Sequence, residues 1–188
     1  MNAMMLRDEG VVEMTLKATV IYDQFEFATR ATALLERVAA RVHEAVKWDV
    51  TPWRLDLLKS SALAEAALAE AAEADLLVFA LSRTPAPPAE FTVWLEDWGI
   101  HRRIDDPAVM LLNPGERAAA TPLWHELKHF AARHGLAFLS SQDVRESGDS
   151  MQFVRQLWQR RQPAAPAVEL LADLPPPPRP PRHWGINE

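Results

Sequence analysis

The chain has no cysteine among its 188 residues. That excludes a disulfide framework, thiolate chemistry and zinc–thiolate sites, and it suits a reducing compartment. No apolar run approaches the roughly 20 residues needed to cross a bilayer. The opening MNAMMLRDEGVVEM carries acids where a secretory signal needs an apolar stretch. The protein is therefore expected in the cytoplasm, with no membrane partner. Positive charge is in deficit: 20 Lys and Arg stand against 26 Asp and Glu, a net charge of −6. Binding to phosphate backbones needs a basic footprint, so nucleic acid is not an expected partner. Glycine is rare, six in all, and the stretch Asp23-Gln24-Phe25-Glu26-Phe27 has none and carries two acids. A phosphate-cradling loop there would need glycine for close backbone approach, so a flavin or nucleotide is disfavoured and no cofactor is expected.

The chain is organised around Ala74–Thr84, ADLLVFALSRT. Its apolar residues, Leu76 to Leu81, do not alternate with polar ones, as expected of a strand covered by helices on both faces. On either side of it, strands and helices alternate. Strand one is expected at Lys17–Asp23 and a helix at Glu26–His43, with Phe27, Ala31, Leu34, Leu35, Val38 and Val42 facing inward. Strand two runs from Ala45 to Val50 and is stopped by Pro52. An alanine-rich helix, Ala62–Ala74, is capped by Ser60 or Ser61. A third helix, Ala89–Gly99, places Phe91, Trp94, Leu95 and Trp98 on one face and ends at Gly99. Strand four is Ala108–Leu112. Thr121-Pro122 opens the fourth helix and Gly135 closes it. Strand five is Leu136–Leu139, and a last helix lies near Ser150–Gln162. Five strands alternating with helices give a three-layer α/β/α sandwich on a five-stranded parallel sheet, in the order 2-1-3-4-5. Residues 1–14 are expected to be a leader left by an over-extended start site, and 15–162 the α/β domain. Residues 163–188 hold eight of the 15 prolines and are expected to be an extended tail.

This order of elements, over about Lys17–Arg161, resembles the receiver domain of two-component response regulators, which has a flavodoxin-like fold. The resemblance implies a site made of an acidic pair after strand one, a phospho-acceptor aspartate ending strand three, a Ser/Thr after strand four and a lysine after strand five. Here Asp23 is followed by Gln24 and not by a second acid. Ala80 stands at the acceptor position, Leu112 or Asn113 after strand four, and Ser140 or Ser141 in place of the lysine. With no carboxylate at position 80 there is no acyl phosphate, and with one acid left a Mg²⁺ ion lacks the charged oxygens it recruits. The resemblance therefore implies a degenerate, non-catalytic receiver-like domain that regulates or binds proteins.

Two other readings compete with it. Asp23, Gln24, Ser82, Arg83, Asn113 and Ser140 are placed at strand ends, where a small ligand or substrate could bind. His125-Glu126-Leu127-Lys128-His129 matches the H-E-x-x-H string of zinc hydrolases, in which two histidines hold the metal and the glutamate activates its water. Helix phase opposes that use. His125 and His129 fall about 160° from Leu127, opposite the apolar stripe of Leu123, Phe130 and Ala131. A lysine also separates the histidines, so no metal is expected. For the interaction reading, Trp53, Trp98 and Trp124 would form an anchor patch if exposed. Arg179, Arg182 and Trp184 mark the tail as a docking peptide. The expected partner is an unidentified protein, with a second copy of the chain as one candidate.

Overall fold

The computed structural model describes residues 14–41, 46–82, 87–112 and 121–140. The elements run β1 (Met14–Tyr22), α1 (Phe25–Ala39), β2 (Val46–Arg54), a short 3-10 helix (Leu55–Lys59), α2 (Ser61–Ala71), β3 (Leu76–Ala80), α3 (Ala89–His101), β4 (Ala108–Leu112), α4 (Pro122–His134) and β5 (Ala137–Ser140). The five strands form one sheet in the order β2-β1-β3-β4-β5, every neighbouring pair parallel. That order is the flavodoxin-like solution of the doubly wound α/β fold. Of the expected leader only Met14 is described, and it is the first residue of β1 and not part of a separate arm; residues 1–13, the last helix and the tail lie outside the described residues.

All five residues of β3 are buried, because successive side chains point to opposite faces and each face has its own cover. Leu76, Val78 and Ala80 join Leu16, Ala18 and Val20 of β1 against α1. Leu77 and Phe79 face the other way, with Ala67 and Ala71 of α2, Phe91, Trp94, Leu95 and Trp98 of α3 and Leu127 and Phe130 of α4. The alanines of α2 let α3 come close enough to bond its backbone: Trp94 Nε1 donates to the Ala64 carbonyl at 3.0 Å and Trp98 Nε1 to that of Ala71 at 2.8 Å. The α3 stripe expected from the sequence is thus the core of this layer.

Several boundaries differ from expectation. β2 does not stop at Pro52 but continues to Arg54, with Pro52 paired opposite Val20. β2 is an edge strand, so a residue with no N–H can sit where no ladder bond is required of it. α3 does not end at Gly99 but runs on to His101. A Cβ at Gly99 would lie 2.7 Å from Cε1 of His134, so the glycine is there for close approach between α3 and α4. β1 begins three residues earlier than expected, at Met14, and α1 ends at Ala39. The ends of α4 are as expected. Thr121 Oγ1 accepts from the Trp124 N–H at 3.3 Å, and Gly135 closes the helix at φ 67°. The N–H of Leu136 then returns to the Ala131 carbonyl at 2.8 Å, a Schellman end.

The register levels the carboxyl ends of four strands. Arg54 is paired with Tyr22, Tyr22 with Ala80 and Ala80 with Leu112. Residues just beyond that row therefore share one edge of the sheet.

Candidate functional site

At this edge Asp23 leaves β1 and Ser82 follows β3, and the two are joined. The Ser82 N–H donates to both carboxylate oxygens of Asp23, each at 3.0 Å, and the Ser82 hydroxyl donates to Oδ2. The Gln24 side-chain amide donates to Ser82 Oγ at 3.3 Å. Three residues that the sequence placed at strand ends thus form one hydrogen-bonded clasp across the β1–β3 crevice. Its chemistry is that of a closed circuit: the carboxylate is occupied by donors from its own chain, and the hydroxyl proton is spent on it. Ser82 has no imidazole in this circuit to activate it as a nucleophile.

Ala80, at the position where a receiver carries its acceptor, has no accessible surface. Ser140 is buried at the end of β5, with Leu111 as its register partner. Three strand spacings separate β5 from β1, about 14 Å, so Ser140 does not belong to the clasp. Arg83 and Asn113 lie outside the described residues.

Beside the clasp is a cleft of about 260 Å³ that the sequence did not announce. Leu55, Pro88 and the buried Leu58 and Phe91 are its apolar lining, and Asp23, Arg54, Asp56, Lys59 and Glu90 supply its charge. Arg54 is held by Asp56 at 2.7 Å. The cleft exists because β2 outruns Pro52. The extra residues carry the 3-10 helix over the carboxyl edge, toward the first turn of α3. Its linings come from three separate stretches of chain, so no local motif could have revealed it. The one sequence signal was Pro52, which the expected order 2-1-3-4-5 already puts on an edge strand, where proline need not end the run.

The amino edge of the sheet is tied differently. Asp75, 2% exposed, exchanges two bonds with Lys17: the Lys17 N–H donates to Asp75 Oδ2 and the Asp75 N–H to the Lys17 carbonyl, each at 2.8 Å. The Asp75 carbonyl accepts from the Ala108 N–H at 2.9 Å. On the surface nearby, Glu73 pairs with Lys17 at 2.8 Å and with Arg103 at 3.0 Å. The hydrogen bond from Lys17, then the charges of Lys17 and Arg103, hold the Glu73 carboxyl below the ordinary carboxylate range.

The other sequence candidates are scattered. Trp98 is wholly buried and cannot meet a partner, because its indole fills the α2–α3 layer. Trp53 is half-buried, its Nε1 donating to Glu70 at 2.8 Å, and Trp124 is half-buried against Phe138. The anchor patch of Trp53, Trp98 and Trp124 is therefore not formed. His125 and His129 are both exposed on α4, and Glu126 is half-buried. Among the described residues no three His, Cys, Asp or Glu side chains are grouped to hold a metal. Arg179, Arg182 and Trp184 lie outside the described residues. No helix among those residues is long and apolar enough to cross a membrane.

No family model matches this chain, and no curated protein matches it either. Among solved structures it is similar to the crystal structure of the flavodoxin, WrbA-like protein from Agrobacterium tumefaciens. The identity is 16%, over 78% of this chain and 98% of that one, with a TM-score of 0.42. The strand order, rather than that likeness, defines the domain as flavodoxin-like.

Proposed function

We propose that this flavodoxin-like domain is a non-catalytic, receiver-like module that regulates or binds a protein partner without carrying a phosphoryl group. The observation that supports this reading is the clasp. The one carboxylate at the β1 end is occupied by Ser82, and Ala80 offers neither a nucleophile nor accessible surface. A Mg²⁺ ion would have to displace the Ser82 donors and would gain a single charged ligand. The α/β domain, residues 15–162, presents the surface, and the proline-rich tail with Arg179, Arg182 and Trp184 is the docking peptide. Incubation with acetyl phosphate and Mg²⁺, followed by intact-mass analysis, tests the reading. Unmodified protein is expected, and a stoichiometric aspartyl phosphate would overturn it. Partner capture that is lost on Trp184→Ala is the matching positive result.

A second reading rests on the cleft, whose apolar lining and charged rim could hold a small polar ligand. A thermal-shift screen tests it. A true ligand at 100 times its Kd should add about 2.7 kcal/mol of stability, and the gain should vanish in Lys59→Ala.

A further inference from the structure

We propose that His125 and His129 of α4 bind a zinc-class dication between two copies of this chain, each copy supplying two imidazoles. The pair stands four residues apart on a continuous helix, so both rings arise from neighbouring positions on one face, with Cβ atoms about 6 Å apart. Both residues are exposed, opposite the buried Leu123, Leu127 and Phe130. Zinc is usually four-coordinate and tetrahedral, with imidazole among its common ligands. One chain brings only this pair, for no third His, Cys, Asp or Glu is grouped with it among the described residues. A second copy related by a two-fold axis presents the same face and completes four nitrogen ligands. Such a self-complementary interface is the commonest kind in homo-oligomers.

The surroundings favour it. The His125 ring meets Trp124 edge-on at 5.0 Å, which restricts the imidazole before any metal arrives. The lysine between the histidines is turned to Trp124, with its ammonium 4.6 Å from the ring centroid. Glu126 and Lys128 lie on opposite flanks of the histidine row, and Arg133, one turn beyond His129, is paired with Glu96. This bridge is the chemistry left to the H-E-x-x-H string once a catalytic cleft is ruled out by the exposure of both histidines.

Sedimentation equilibrium of the full chain with and without zinc chloride, then with EDTA, tests the proposal. The expected result is a doubling of mass with one zinc per two chains, reversed by EDTA. His125→Ala and His129→Ala should each abolish the doubling, while far-UV circular dichroism stays unchanged because neither side chain is packed in the core. The proposal is overturned by an unchanged mass, by one zinc bound per chain without dimerisation, by a dimer that ignores EDTA, or by doubling that survives in the double variant. Any of these leaves the receiver-like reading standing, since that one is judged by acetyl phosphate.

Discussion

A single hydroxyl and a single missing Cβ each set something larger than themselves. Ser82 closes the crevice through two donors to one carboxylate, so the partners are not equivalent under mutation. Ser82→Ala removes one hydrogen bond to a charged group and should cost about 1.5–3 kcal/mol, toward the low end because the site is partly wet. Asp23→Ala also strands the Ser82 N–H, and in urea denaturation it should be the more damaging of the two. Gly99 makes a prediction whose sign depends on its neighbour. Alanine in a helix is favoured over glycine by about 1 kcal/mol, but here its Cβ meets the His134 ring, and overpacking costs about 1–3 kcal/mol. Gly99→Ala should therefore be neutral to destabilising in the parent chain and stabilising in a His134→Ala background, measured as a double-mutant cycle. The sequence offered Asp23, Gln24 and Ser82 together as lining for a ligand cleft at the strand ends. It could not show that they satisfy one another, because that depends on β1 and β3 ending level.

Among the elements, α3 carries the packing of its layer. Trp98 has no accessible surface and fixes the last turn of α2 through the Ala71 carbonyl. Trp98→Phe keeps most of the ring but loses the indole bond to that carbonyl, which still accepts from the Ala74 N–H at 3.0 Å, so the cost should be about 0.5–1.5 kcal/mol. Trp98→Ala should cost about 3–5 kcal/mol by leaving a cavity as well. Both are read from denaturant midpoints. Elements governed by local chemistry were legible in the chain: β4 is found at Ala108–Leu112 as expected, and α4 between its threonine cap and Gly135. Elements whose limits depend on position in the sheet were not. Proline ends a central strand but not an edge one, and glycine ends a helix only where nothing requires a bare backbone.

On the scale of the whole molecule, acid stability should carry the mark of one surface carboxylate. Glu73 is held below its ordinary value by Lys17, with help from Arg103. Its folded pKa lies under its unfolded one, so its contribution is present above the ordinary glutamate range and is lost as pH falls through the folded value. Being exposed, the effect is small and should shrink with salt. The urea midpoint plotted against pH should fall less steeply on the acid side in Glu73→Gln. A larger consequence follows from Asp75 at one rim and Asp23 at the other. Sliding β1 along β3 by two residues would preserve which side chains look inward, so hydrophobic patterning alone does not forbid it. Such a slide would unfasten both aspartates at once. The two acids work as bolts at either end of the central strand pair, leaving the chain a single way to thread its middle.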